Sequence, residues 1–390
     1  MTSASKQFEH LVDTITPDDL EIVGGHGATV MDVTGKKYID CTTGQGVALM
    51  GHGNQDIADA ISQAWHEFAF ISPKHPHAVR AEFLAKLASC MPAGVTQFFL
   101  SSSGTEANEA ALKFARLATG RTQLLAAKRA FHGRTMGSLS LTFKPDFRAP
   151  FEPLVPDCDF FAFDKSESLA EKISDKTAAV ILEVIQGEGG VYVGSQQFFD
   201  EVRALCDKAG ALLIIDEVQT GAGRTGKFLA LEHFNIRPDI VTMSKALGGG
   251  YPLAATAVRK DLFANLPAGK QVRGSHNSTF GGSVPACAAG LAVLLFLESG
   301  AVLAEATEKS TQFVADLEAL HSPKIKEIRG LGFMLGIEFT EPAGPIVQKM
   351  RELGVLVLPT GPKTIRLLPP LVITEAELAT IVGVFKAVLV

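Results

Sequence analysis

Six apolar runs, at about residues 97–100, 123–127, 178–183, 211–216, 239–243 and 253–258, alternate with helical or loop segments through the middle of this 390-residue chain. A strand that is apolar throughout is buried on both faces, so the alternation predicts an α/β sheet covered by helices on both sides. Residues 196–208 read as one of those helices, with Phe198, Val202, Leu205 and Cys206 at helical spacing. Upstream, residues 28–32 and 37–40 read as a hairpin turning across Gly35. Beyond about residue 300 the pattern becomes α+β, with strand-like stretches at 325–339 and 355–358 and a closing helix from Glu375.

Two of the predicted strands end on reactive groups. Ala211-Leu-Leu-Ile-Ile-Asp-Glu-Val-Gln219 brings Asp216 to a strand end, and Asp239-Ile-Val-Thr-Met-Ser-Lys245 does the same for Lys245. A lysine amine forms a Schiff base with a carbonyl cofactor, and a carboxylate beside a pyridine nitrogen keeps that nitrogen protonated. The pair points to pyridoxal phosphate. Asp216-Glu217 also suits the magnesium-binding strand of a phosphate-loop ATPase, but that reading needs a Gly-x-x-x-x-Gly-Lys-Ser/Thr loop, and the sequence contains none.

Other segments supply what such a site needs. In Ser101-Ser-Ser-Gly-Thr-Glu-Ala-Asn108, Ser103 and Glu106 have capping-box spacing, so a helix is expected from Gly104. Its free amides and dipole would attract a phosphate, and Gly104 would let the anion approach closely. In Phe131-His-Gly-Arg-Thr135, the Phe131 ring can lie on a cofactor and the fork of Arg134 can take a substrate carboxylate. Arg366 lies among apolar residues in 364–370 and requires a carboxylate partner, either Glu188 or a substrate. Glu183 either tunes polar contacts near the cofactor or caps a strand end. The pair in Lys74-His-Pro-His77 reads as a loop, His52 as structural, and no metal site is expected.

From about Gly24 to the C-terminus the chain resembles the class III, or ω-amino acid, aminotransferases, which have the fold type I architecture of pyridoxal phosphate enzymes. The likeness rests on Gly35-Lys-Lys-Tyr-Ile-Asp40, Gly51-His52, Ser103-Gly-Thr-Glu-Ala-Asn108, Phe131-His-Gly-Arg-Thr135, Glu183-Val-Ile-Gln-Gly-Glu-Gly-Gly190, Asp216-Glu-Val-Gln-Thr-Gly-Ala-Gly-Arg-Thr-Gly226, Ser244-Lys-Ala-Leu-Gly-Gly-Gly250, Ser278-Thr-Phe-Gly-Gly282 and Arg329-Gly-Leu-Gly332. It implies a large cofactor domain at 51–290 with a central, mostly parallel sheet, and a smaller α+β domain formed by both termini, 1–50 and 291–390. By resemblance Lys245 is the Schiff-base lysine and Asp216 the partner of the pyridinium nitrogen. Gln219 would bond the ring hydroxyl, and Phe131 and Val218 would hold the two ring faces. Ser103, Gly104 and Thr105 look like the phosphate cup, and Thr279 looks like a phosphate ligand donated by a neighbouring subunit, which implies a homodimer with shared sites. Arg366 resembles the grip for the α-carboxylate of glutamate, Glu188 the carboxylate that covers it, and Arg134 the grip for the far carboxylate.

Within the family the chain looks most like the acetylornithine aminotransferases of arginine biosynthesis, and like relatives in lysine biosynthesis whose substrate is tethered to an acidic amino-group carrier protein. Gln45 stands at a substrate-pocket position that is Tyr in ornithine aminotransferases and generally small or apolar in acetylornithine ones. Val184 and Ser283 replace a usual Pro and Asn. The alternatives are a 4-aminobutyrate, ornithine or diamine transaminase, a glutamate-1-semialdehyde aminomutase and a noncatalytic binding protein. Arg259, Lys260, Lys270 and Arg273 form either a basic rim for a carrier or a plain solvated surface. A net charge of −6 gives no reason to expect nucleic acid or membrane partners, no apolar run reaches a membrane-spanning length of about 18 residues, and the first ten residues lack the pattern of a signal peptide, so a cytoplasmic enzyme is expected. The five scattered cysteines, in apolar stretches, read as reduced core residues.

Overall fold

The computed structural model describes residues 4–389; residues 1–3, with which the expected N-terminal segment begins, and 390 lie outside the described residues. Seven strands form the central sheet: β1 (Gln97–Ser101), β2 (Gln123–Ala127), β3 (Cys158–Phe161), β4 (Thr177–Glu183), β5 (Leu212–Asp216), β6 (Ile240–Met243) and β7 (Ala254–Val258). Their order is β1-β7-β6-β5-β4-β2-β3. Only β7 runs against its neighbours, pairing antiparallel with both β6 and β1. Every residue of β4, β5, β6 and β7 is buried, as expected for strands covered on both faces. The edge strand β3 has no place among the expected runs, because its Cys-Asp-Phe-Phe sequence carries a charge and its pattern is too short to stand out.

Strand register sets up the site. Asp216 pairs with Glu183 on one side and with Thr242 on the other, so the carboxyl ends of three adjacent strands lie level. The helix Gly104–Thr119 crosses behind them, and it packs closely because its buried face is mostly small: Ala107, Asn108, Ala110, Ala111 and Ala115, with Leu112 and Phe114. It stops at Gly120, which is left-handed at φ +70°. The helix Gln196–Ala209 begins where Ser195 accepts from the Phe198 amide and buries Phe198, Phe199, Val202 and Cys206.

The two ends of the chain meet. The expected hairpin forms from Thr29–Asp32 and Lys37–Asp40, is extended on one side by Ile22–His26, and is joined on the other by Val355–Leu356, which lies parallel to Lys37–Asp40. A second sheet contains Ile325–Leu331, Met334–Phe339, Thr364–Leu367 and Leu358–Pro359. The stretch 355–358, expected as one strand, is therefore split: Val355 and Leu356 pair with the N-terminal sheet, whereas Leu358 pairs with Arg366. The closing helix, Glu375–Val388, starts on a full capping box between Thr374 and Glu377. Among the described residues no single helix is long and apolar enough to cross a membrane.

Candidate active site

Outside the carboxyl ends of β4, β5 and β6, where open α/β sheets bind ligands, lies a pocket of about 220 Å³. Gly104, Thr105, Phe131, Arg134, Glu183, Glu188, Asp216, Val218, Gln219 and Lys245 of the expected set line it. Arg366 joins through its partners, donating to Glu188 Oε1 at 2.8 Å and to Gln219 Oε1 at 3.1 Å. Glu188 is thus the partner that buried Arg366 requires. Ser103 caps the helix just outside. Gln45 contributes its carbonyl, which accepts from Gln219 Nε2 at 3.3 Å, while its side chain is exposed. Thr279 is exposed and does not line the pocket of its own chain.

Four residues of the pocket wall, Asn108, His132, Gly133 and Thr220, were not among the expected site residues. Two of them hold the central acid. Asp216 Oδ2 accepts from Asn108 Nδ2 and from His132 Nδ1, each at 2.8 Å, and Oδ1 accepts from the Val218 amide at 2.9 Å. Because a carboxylate only accepts, the His132 proton is assigned to Nδ1. Asn108 also donates to the His132 carbonyl at 2.7 Å and accepts from Thr242 Oγ1 at 2.7 Å. The available signal is helical: Asn108 stands one turn after Gly104 and so shares its face. Truncation of Asn108 leaves several buried groups unpaired. Asn108→Ala is expected to cost about 2–4 kcal/mol, measured as a lower urea midpoint at unchanged slope.

The helix start is a cradle. A Cβ at Gly104 would come within 2.5 Å of Val218 Cγ1, so only glycine lets these two walls meet. At Gly133, φ is +138° and a Cβ would collide with Thr105 Oγ1. Ser103 accepts from the Glu106 amide at 3.4 Å; Glu106 reaches back to the Ser103 hydroxyl and to the amide of Ser102, one residue earlier than in the expected box. The displaced bond leaves the Ser103 amide out of the capping exchange.

Lys245 follows β6 in a left-handed conformation, φ +50°, unusual for a residue with a side chain. Burial pushes its ammonium below the ordinary lysine value, and the Arg366 charge adds to this while Asp216 and Glu188 oppose it. The free amine is thereby favoured, as a nucleophile or base requires. Glu183 is pushed up to about 7 by burial. It accepts from the amides of Phe131 at 2.9 Å and Gly187 at 3.0 Å, so it both ends a strand and ties down the aromatic wall. Glu217, also raised to about 7 by burial, accepts from Thr220 and from the amides of Ala230 and Leu231, which makes it a local brace. Arg134 lies over the Phe147 ring at 3.5 Å and has no ion-pair partner among the described residues.

These donors fit pyridoxal phosphate: a carboxylate fixed by three donors, an amine held in a strained turn, an aromatic wall and a helix start with a side-chain-free approach. Of the histidines away from the pocket, those singled out in the sequence have local contacts. His52 pairs with Asp40 at 2.8 Å, His77 lies edge-on to Phe68, and no metal-holding cluster occurs among the described residues. All five cysteines are free.

Residues 15–389 match the model of the family described as aminotransferase class-III. An LysW-aminoadipate semialdehyde transaminase of Deinococcus radiodurans is 42% identical over 95% of this chain and 86% of its own length. An acetylornithine aminotransferase of Methanosarcina acetivorans is 41% identical over 98% of this chain and 94% of its own. Among solved structures, the ornithine aminotransferase of Toxoplasma gondii superposes with a TM-score of 0.92 at 29% identity, covering 100% of this chain and 95% of that one. A pyridoxal-phosphate-bound amine transaminase from an uncultivated Pseudomonas species gives 0.88 at 28% identity over 97% of both. With the fold, the pocket and these matches in agreement, the chain belongs to the class III aminotransferases and is a pyridoxal phosphate-dependent enzyme.

Proposed function

We propose that the chain moves the distal amino group of N-acetylornithine, or of a similar acylated diamino acid, to 2-oxoglutarate in two alternating half-reactions, in the cytoplasm and as a homodimer whose sites are shared through Thr279. In this reading residues 51–290 form the cofactor domain, and 1–50 with 291–390 form the smaller one. The observation that carries it is the pair of arginines at the pocket. Arg366 is covered by Glu188 and keeps an unpartnered Nε, whereas Arg134 stands open on its phenylalanine. Two forks suit the two carboxylates of glutamate. With Glu188 neutralising Arg366, a diamino acid enters reversed and would present its distal amine at the Lys245 end of the pocket, where the cofactor carbonyl would be held, while Arg134 takes its carboxylate. A second chamber of about 340 Å³ shares Phe131 and Glu188 with the pocket and gives an acyl group somewhere to lie.

Pyridoxal phosphate, when bound, supplies an electron sink for the substrate carbon that bears the nitrogen. The residues do the rest. Ser103, Gly104 and Thr105 would hold its phosphate, Phe131 and Val218 its ring faces, and Gln219 its hydroxyl. Asp216 keeps its nitrogen protonated, positioned for this by Asn108 and His132. Lys245 Nζ would take the proton from the substrate carbon and deliver it to the cofactor carbon that carried the carbonyl, and the walls of the pocket keep water from competing.

The test is to add N-acetylornithine to the coloured enzyme without any keto acid. The visible absorption of the bound cofactor is expected to be lost at low substrate and restored by 2-oxoglutarate, with kcat/KM about tenfold or more above that for ornithine and 4-aminobutyrate. Preference for either of those would overturn the assignment. A second reading, in which the diamino acid arrives on an acidic carrier protein, is supported by the name of the Deinococcus radiodurans relative. The basic surface considered for such a carrier is partly neutralised, since Arg259 pairs with Asp239 and Asp261. Response to glutamate but not to free N-acetylornithine would favour it.

A further inference from the structure

The loop that carries Glu188 is fixed at its backbone and free at its side chain. Thr360, buried at 3% exposure, donates its hydroxyl to the carbonyl oxygens of Glu188 at 2.9 Å and Gly187 at 3.3 Å. From the other side Glu183 takes the Gly187 amide, and Arg329 Nε donates to the Gly190 carbonyl at 2.8 Å. Tyr192, at the far end of the loop, has the guanidinium groups of Arg329 at 4.0 Å and of Arg129 at 4.2 Å over its ring. Gly189 has the Arg129 carbonyl so close that a Cβ there would come within 2.8 Å of it. The Glu188 side chain, in contrast, is 36% exposed and borders both the cofactor pocket and the outer chamber. That chamber is also lined by Arg129 and Lys144, cations that can receive a carboxylate turned away from Arg366.

We propose that Thr360 is a positioning residue for the Glu188–Arg366 pair. Its hydroxyl holds the 187–188 backbone, so that Arg366 is covered and uncovered by rotation of the Glu188 side chain alone, towards the outer chamber and back. Thr360 is placed to do this because Leu358 pairs with Arg366 and Thr360 follows just beyond that short strand. The assignment rests on the reading that Arg366 takes a substrate carboxylate. A pinned Glu188 competes with that carboxylate for the arginine, and a loosened one competes less. Removing the anchor should therefore tighten dicarboxylate binding, whereas simple damage to the pocket weakens it.

The experiment is calorimetric titration of the holoenzyme with glutarate, a dicarboxylate with no amino or keto group to transfer. Glu188→Gln and Thr360→Val should each bind glutarate more tightly than wild type, Thr360→Val by about fivefold. Thr360→Ser, which keeps the hydroxyl, should stay within about twofold of wild type. In the Glu188→Gln background, Thr360→Val should add nothing, because the group it positions no longer competes. Tighter binding by Glu188→Gln with unchanged or weaker binding by Thr360→Val overturns the role of Thr360 and leaves the reading of Arg366 standing. If Glu188→Gln does not tighten binding, or Arg366→Lys does not weaken it, the reading of Arg366 fails and the role of Thr360 fails with it.

Discussion

Lys245→Ala is expected to lower amino transfer by about 10⁴-fold or more, because one side chain is asked to be both the amine that meets the cofactor and the group that carries the substrate proton. Its surroundings suit that proposed role. Burial and the neighbouring Arg366 favour the uncharged amine, and a left-handed turn that glycine would adopt more easily fixes its direction. The variant should fold, since the site of substitution lies at a pocket wall and removes a buried polar group. Cofactor should still be found in the purified variant, held by the remaining contacts, but it should be lost on dialysis. The measurement is single-turnover amine transfer together with cofactor content. Substantial residual transfer by a fully loaded variant would falsify the role assigned to this lysine.

Asp216→Asn is the second large effect, about 10³-fold in kcat. Asparagine has nearly the same shape, but it offers one acceptor where the carboxylate offers two. In the native pocket three donors converge on Asp216, from Asn108, His132 and Val218. The new amide group must face at least one of these donors or the pyridine nitrogen, so the network loses acceptors and the charge that would keep that nitrogen protonated. Like the lysine variant, which cannot form the Schiff base, this one should alter the cofactor's visible spectrum even before substrate is added. A urea midpoint close to that of the wild type would show that the loss is chemical. A kcat within about tenfold of wild type would mean that the acid is not paired with the ring.

Asp216 and Lys245 were legible because each ends an apolar run, and strand ends are where an α/β sheet presents its chemistry. Their support was not legible. Asn108 and His132 meet Asp216 only because the helix after β1 and the loop after β2 converge on β5, a consequence of strand order that local pattern does not encode. Sequence alone leaves the partner of Arg366 open between Glu188 and a substrate, since an arginine's need for a carboxylate can be read from its apolar neighbours but the distance across the fold cannot. The split at Val357 is instructive in the same way. Four consecutive apolar residues look like one strand, yet two different sheets each had an open edge to fill, and the chain served both. The helix from Gly104 and the closing helix from Glu375 were more secure, because each carries its own start signal in Ser103 or Thr374.

The pairing of Lys37–Asp40 with Val355–Leu356 has a consequence for biogenesis. A chain still emerging from the ribosome can complete all seven strands of the central sheet, and with them the acid and the amine, while more than a quarter of its length is unmade. The arginine that would recognise glutamate, and the edge that receives Val355, come together only after a further stretch of more than ninety residues beyond Val258. The acid, the amine and Arg134 therefore exist before Arg366 does, and early acquisition of cofactor by a nascent chain would create an amine-transfer centre with only one of its two proposed carboxylate grips.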